Sequence, residues 1–270
     1  MKLYLHIGLS KTGTSAIQTF LHTNRTKLLE NFRILYPNTG IFIGCGIPAH
    51  YYIVFSLYKP AEAQNFYVPK SFEEYINELR FEISESSPEK LVISCEGFMH
   101  LTEKEVFQKL NSELSNILEE IYIVVYLRRQ DLWQESSYSQ VVKAFSSRTL
   151  ATFIESAAYS MNLKWLLRYE NLLERWKSFL PKAVVVPRIY DRKNLPEGNI
   201  VIDFLSLLGI DMPEAKEQKI EANPSLSYLA TLVMRKVNEK FDLTPSEHGR
   251  VIQYLFKLDH KEGSPIKTFF

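Results

Sequence analysis

Four short apolar runs, widely spaced along the chain, most constrain how this sequence can fold. Each run is continuous rather than alternating, and the last three are rich in β-branched residues, which is typical of parallel strands buried on both faces. The runs occupy residues 3–7, 91–94, 121–127 and 183–186. Segments with the apolar spacing of helices separate and follow them, at 16–21, 72–84, 103–118, 131–145, 165–179, 201–208 and 228–241. This alternation predicts an α/β fold with a central parallel sheet flanked by helices.

The composition limits the classes of protein to which this chain can belong. Its 270 residues are 46% hydrophobic and 23% charged, and the net charge of +1 gives no electrostatic basis for binding nucleic acid. The longest apolar run is far shorter than the ~20 residues of a membrane helix, and a strand that begins at residue 2 or 3 leaves no room for a signal peptide. Two cysteines, Cys45 and Cys95, form no C-x-x-C pair and favour a reducing compartment. We therefore expect a cytoplasmic protein with no transmembrane segment, a single domain over residues 1–270, and an irregular insertion at about 36–69.

The loop after the first run combines small residues with one lysine. Gly8 and Gly13 have the spacing of the glycines in the P-loop pattern G-x-x-x-x-G-K-[ST], but Lys11 precedes Gly13 instead of following it. The loop leads into a predicted helix, whose first N–H groups and dipole favour an anion. The candidate phosphate-binding residues are Ser10, Lys11, Thr12, Gly13, Thr14 and Ser15. The alternative is a tight turn between strand and helix with an incidental lysine.

A second candidate anion site follows the third run. Arg128 and Arg129 leave the end of that strand, and Ser136 and Ser137 lie eight residues further on, about two helical turns away. An arginine fork together with a hydroxyl can hold a terminal phosphate. The alternative is an ion pair between an arginine and a carboxylate, for instance Arg129 with Asp131.

Charged residues follow all four predicted strands. They are Lys11, Glu96, Arg128 and Arg188. Ligands of doubly wound sheets bind outside the carboxyl ends of the strands, so these side chains are expected to converge on one site. Arg188 has two open interpretations, a contact with an anionic substrate or an ion pair with Glu96 or Asp191.

These segments resemble the sulfotransferases that use 3′-phosphoadenosine 5′-phosphosulfate (PAPS), in particular the bacterial carbohydrate-type branch. Residues 6–15 resemble that family's 5′-phosphosulfate loop, whose core is Lys-[Ser/Thr]-Gly-Thr. Residues 127–138 resemble its 3′-phosphate element, an arginine and a serine eight residues apart, and residues 94–96 resemble its strand-end Ser-x-Glu. Similarity at 169–176, 203–209 and 223–227 extends the resemblance over roughly residues 3–235.

The resemblance implies a P-loop-like sulfotransferase fold and the transfer of a sulfuryl group from PAPS to an acceptor hydroxyl or amine, leaving adenosine 3′,5′-bisphosphate. The implied acceptor is a carbohydrate or glycolipid, and no metal is implied. Lys11 would stabilise the bridging oxygen of the departing nucleotide, as a cation does in phosphoryl transfer. Arg128 and Ser136 would hold the 3′-phosphate, and the register Arg129 with Ser137 stays open.

Transfer to an acceptor hydroxyl also needs a base. Glu96 is the first candidate, His50 in the insertion the second and His100 the third. Glu96 could instead form a salt bridge with Lys11 or Arg188.

Two other functions remain open from the sequence. One is a P-loop-type nucleotide kinase or NTPase, although no predicted strand ends in an aspartate suited to Mg²⁺. The other is a nucleotide-binding protein without catalytic activity. The six histidines lack the spacing of metal ligands, and the oligomeric state is left open.

Overall fold

The computed structural model of the chain describes residues 1–44, 46–58, 65–114, 118–159, 168–217 and 226–261. Its strands are β1 (Lys2–His6), β2 (Ile34–Leu35), β3 (Phe42–Gly44), β4 (Ile47–Ala49), β5 (Lys90–Ser94), β6 (Glu120–Leu127) and β7 (Val184–Ile189). Its α-helices are α1 (Thr14–Thr23), α2 (Arg25–Phe32), α3 (Tyr51–Leu57), α4 (Phe72–Ser86), α5 (Lys104–Leu114), α6 (Gln130–Lys143), α7 (Leu150–Tyr159), α8 (Tyr169–Phe179), α9 (Ile200–Leu207), α10 (Glu214–Glu217), α11 (Tyr228–Lys240) and α12 (Pro245–Lys261). Short 3₁₀ helices occupy Glu96–His100 and Pro196–Gly198.

Five strands form a parallel sheet in the order β2-β5-β1-β6-β7. Leu3 of β1 pairs with Leu91 of β5 on one side and with Ile121 of β6 on the other. Successive side chains of a strand point to opposite faces, and both Leu3 and Tyr4 are buried, so the centre of the sheet is covered on both sides. The α/β fold with a central parallel sheet flanked by helices is therefore confirmed.

The strand order creates a crevice at the carboxyl ends of β1 and β6. These strands are neighbours, but the chain leaves β1 toward the β2 edge of the sheet and leaves β6 toward the β7 edge. Connections that diverge from two neighbouring strands open the crevice in which α/β proteins bind ligands. The loop that begins at Gly8 and the residue Arg128 both lie at this place.

The prediction that the fourth strand ends before residue 187 is wrong. Strand β7 continues through Pro187 to Ile189, and Arg188 pairs in register with Tyr126 of β6. Proline lacks the N–H that a central strand needs, but β7 is an edge strand and tolerates it. Arg188 is thus part of the sheet and does not follow a strand end.

The insertion predicted as irregular contains regular structure. Strands β3 and β4 pair as an antiparallel hairpin, and helix α3 follows directly. The short helix expected within 49–55 is present as Tyr51–Leu57. Cys45 and residues 59–64 lie outside the described residues.

The chain divides into two compact units. The first comprises Met1–Arg128 and Arg168–Ala222 and contains the parallel sheet; the second comprises Arg129–Leu167 and Asn223–Phe270. Buried residues of α6, α7, α11 and α12 form the core of the second unit, among them Tyr138, Phe153, Met234 and Leu255. The expectation of a single domain stays a prediction, and the segment 223–225 lies outside the described residues.

No helix in the described ranges combines the length and apolarity needed to cross a membrane.

Candidate functional site

The loop between β1 and α1 contains three residues with positive φ. Gly8 (φ 108°) and Gly13 (φ 82°) adopt positive φ values that favour glycine, and Lys11 between them also has a positive φ of 63°. Gly13 begins α1 without any side-chain cap, and the first turn of the helix contains no acidic residue. The start of α1 therefore presents amide groups and positive potential, as an anion site requires.

The hydroxyl groups of this loop differ in their availability. Thr12 is fully buried, and its Oγ1 donates to the Leu9 carbonyl oxygen over 2.6 Å. The Thr12 proton therefore stabilises the turn, and a ligand would meet this residue through its backbone. Thr14 is also buried, whereas Ser10 and Ser15 are partly exposed.

Arg128 lies against the same loop. Its Nη1 donates to the Lys11 carbonyl oxygen over 3.0 Å, and its guanidinium carbon lies 5.8 Å from the centre of the Tyr190 ring. The Tyr169 hydroxyl donates to the Arg128 carbonyl oxygen. The structure thus brings together Lys11 and Arg128, which the sequence placed at separate anion sites.

Tyr190 was not singled out from the sequence. A Cβ on Gly13 would lie 3.3 Å from its ring, so Tyr190 borders the start of α1 as well as Arg128. The only sequence signal was its position shortly after the fourth predicted strand.

Arg129 has a partner of its own. It forms two parallel hydrogen bonds to the carboxylate of Asp131, and its side chain is 69% exposed. The ion pair considered as an alternative at this position is therefore present. Ser136 is buried and Ser137 partly exposed on α6 of the second unit, and the pairing of Arg128 with Ser136 stays a prediction.

Glu96 stands beside the β1–α1 loop. It begins the 3₁₀ helix that follows β5, and a Cβ on Gly8 would lie 3.3 Å from the Glu96 Cβ. The Gln18 side-chain amide donates to Glu96 Oε2 over 3.0 Å. Neither Gln18 nor its contact was foreseen, although a glutamine on the apolar face of α1 is a signal that sequence reasoning could have used.

Tyr51 of α3 lies near Glu96. Burial first, and then the nearby Cys95 and Glu96, raise the pKa of Tyr51 far above its usual value. This phenol therefore stays protonated.

His50 has a different environment. It is fully buried, its Nδ1 accepts from the Ser94 N–H over 3.1 Å, and its Nε2 faces the Pro37 carbonyl oxygen at 3.2 Å. A carbonyl oxygen only accepts, so Nε2 carries the proton and both ring nitrogens serve the backbone. Burial lowers the pKa of His50 to about 4. This geometry favours a structural role for His50 and leaves Glu96 as the better candidate base.

A second buried histidine lies next to Ser94. His6 Nδ1 is 2.7 Å from Ser94 Oγ, and burial lowers the pKa of His6 to about 3. The third candidate base, His100, ends the 3₁₀ helix that Glu96 begins.

Arg188 pairs with neither of the carboxylates considered from the sequence. Its guanidinium forms two hydrogen bonds to Asp203, whose side chain is 1% exposed and also accepts from the Tyr126 hydroxyl over 2.8 Å. Arg188 and Asp203 therefore brace β7 against α9. The sequence signal was an aspartate inside the otherwise apolar start of α9.

Among the described residues, no group of three or more His, Cys, Asp or Glu side chains is arranged to hold a metal ion.

A comparison with known proteins finds a relative in an archaeon. An uncharacterized protein of Archaeoglobus fulgidus is 48% identical over 183 residues, which is 67% of this chain and 47% of the relative. The chain thus spans about half the length of the relative it matches. No protein-family model and no solved structure matches the chain.

Proposed function

We propose that this chain is a P-loop-like, PAPS-dependent sulfotransferase. The observation that carries the proposal is the hydrogen bond from Arg128 Nη1 to the Lys11 carbonyl oxygen, 3.0 Å long. It joins the residue proposed for the 5′-phosphosulfate to the residue proposed for the 3′-phosphate of the same nucleotide. Their position at the diverging ends of β1 and β6 supports the proposal, since α/β sheets bind ligands there.

The β1–α1 loop would bind the 5′-phosphosulfate. During transfer the bond between sulfur and the bridging oxygen breaks, and negative charge collects on that oxygen of the departing bisphosphate. Lys11 and the amide groups at the start of α1 stabilise this charge, because preorganised donors act most strongly where charge develops. Arg128, together with Ser136 as the resemblance implies, would recognise the 3′-phosphate and exclude nucleotides without it.

Glu96 would act as the base. As the acceptor oxygen bonds to sulfur, the proton of the acceptor hydroxyl moves to the Glu96 carboxylate. Adenosine 3′,5′-bisphosphate then leaves. The acceptor that the proposal favours is a hydroxyl of a carbohydrate or glycolipid.

Thermal denaturation with nucleotides tests the proposal. Adenosine 3′,5′-bisphosphate should raise Tm more than 5′-AMP or ADP, with EDTA present, because ligands that bind the folded state stabilise it according to their affinity. The Arg128→Ala variant should lose this preference, and Arg129→Ala, which removes a side chain already paired with Asp131, should keep it. Stabilisation by Mg-ATP without stabilisation by the bisphosphate would instead favour a kinase or NTPase.

A further inference from the structure

Gln18 is a polar residue in an apolar place. It lies on α1 one helical turn after Thr14 and is fully buried, next in sequence to the buried Ile17. Leucine or methionine would fill such a position with less loss of hydration than an amide. The presence of glutamine therefore needs a reason other than packing.

The amide group of Gln18 is only half satisfied. Its Nε2 donates to Glu96 Oε2 over 3.0 Å, and its orientation is fixed because a carboxylate only accepts hydrogen bonds. Its Oε1 is buried and has no hydrogen-bond donor within the described part of the chain. A buried acceptor without a donor lowers the stability of the fold. Because glutamine has this cost, we infer that its benefit lies in the contact with Glu96.

The contact with Gln18 does not saturate Glu96. A carboxylate has about four lone-pair directions, so the Gln18 donor leaves room to accept a further proton. Glu96 is thus held beside Gly8 and can still act as a base.

We propose that Gln18 is a positioning residue for Glu96. Because α1 begins at the proposed phosphosulfate loop and also carries Gln18, one helix sets the position of both the donor nucleotide and the base. The catalytic part of this inference rests on the proposed sulfotransferase function.

Steady-state kinetics with PAPS show whether Gln18 positions Glu96 or only fills space in the core. Gln18→Leu should lower kcat by at least about tenfold, since a small misplacement of a reacting group is costly, and should leave the KM for PAPS unchanged. Its Tm should stay within about 2 °C of the wild type or rise, because the orphaned acceptor is removed. Thr19→Ala, on the neighbouring position of α1, should change neither constant. An unchanged kcat in Gln18→Leu would overturn the proposal, as would a fall in kcat explained by a large loss of Tm.

A double-mutant cycle of Tm tests the contact independently of activity. Glu96→Ala should lower Tm in the wild-type background, because it leaves the whole Gln18 amide buried without a partner, and should lower it much less in the Gln18→Leu background. Equal losses in both backgrounds would overturn the inference even if the protein is active. The cycle could also show coupling while the wild type transfers no sulfuryl group. That result would overturn the proposed function, and Gln18 and Glu96 would then have no catalytic role.

Discussion

Polar residues at the carboxyl ends of β1 and β5 form two regions with opposite character. In the loop region, Lys11 and Glu96 are partly exposed. In the buried region, His6 and His50 are fully enclosed, and both hydrogen-bond to Ser94. Residues 94 and 96 are only two positions apart, yet one belongs to the folded core and the other to the site. Residue type alone does not distinguish the two regions. They differ in the exposure of their side chains and in whether those side chains can still form further hydrogen bonds.

The largest effect is expected in the loop region, at Lys11. Lys11→Ala should lower sulfuryl transfer by about 10²–10³-fold, because it removes a preorganised positive charge at the oxygen that gains negative charge. The rate is measured with sulfur-labelled PAPS. Lys27→Ala, at a lysine of α2 paired with Glu214, is the control and should leave the rate unchanged. Equal rates in both variants would remove Lys11 from the mechanism.

The two candidate bases should respond in opposite ways. Glu96→Gln should lower kcat by about 10²-fold with little change in Tm, since it removes a proton acceptor but retains the shape of the side chain. His50→Gln should lower Tm and leave the kcat of the folded protein close to normal, because both ring nitrogens bind the backbone. If only His50→Gln lowers kcat, His50 is the base and Glu96 has the structural role.

Binding selectivity should change at Arg128 and not at its neighbour. Arg128→Ala should weaken binding of adenosine 3′,5′-bisphosphate by roughly tenfold to a hundredfold, the value of a charge-assisted hydrogen bond, and should affect 5′-AMP much less. Arg129→Ala should affect neither, since Arg129 is exposed and paired with Asp131. Calorimetric titration measures both ligands, and the reverse pattern would move the anion site to Arg129.

The two buried histidines should make the free energy of unfolding depend on pH. Burial lowers the pKa of His6 to about 3 and that of His50 to about 4, whereas both titrate near 6.5 when unfolded. Below about pH 6.5 the unfolded chain therefore binds more protons than the folded one. Each histidine should make the free energy of unfolding fall by about 1.4 kcal/mol per pH unit from there down to its folded pKa.

Urea denaturation between pH 7 and pH 4.5 measures this slope. His50→Gln should have a shallower slope than the wild type over this range because one of the two groups is gone. An unchanged slope would mean that His50 is not held neutral by the fold.

Four of the five strands of the parallel sheet could be predicted from the sequence because each contains a continuous apolar run. The end of β7 could not, since Pro187 normally marks the end of a strand and is tolerated here only because β7 lies at the edge of the sheet. Strands β2, β3 and β4 were missed because each has only two or three residues, too few to show a period.

The charged residues of the candidate site could be found from motifs, but their partners could not. Arg188 was interpreted either as a contact for an anionic substrate or as a partner of Glu96 or Asp191, and the structure pairs it with Asp203 of α9. Gln18 was overlooked because it lies inside an apolar helix pattern. Such partners depend on how helices pack on the sheet, which local sequence does not encode.

Transfer from labelled donors tests the proposed sulfotransferase activity. The wild-type protein is incubated in parallel with PAPS labelled at sulfur and with Mg-ATP labelled at the γ-phosphate, each with a panel of carbohydrates and glycolipids. We expect the sulfur label to move to an acceptor hydroxyl with release of an equal amount of adenosine 3′,5′-bisphosphate, and we expect Lys11→Ala to prevent this transfer. Movement of the phosphate label with no movement of the sulfur label would show that the protein is not a sulfotransferase.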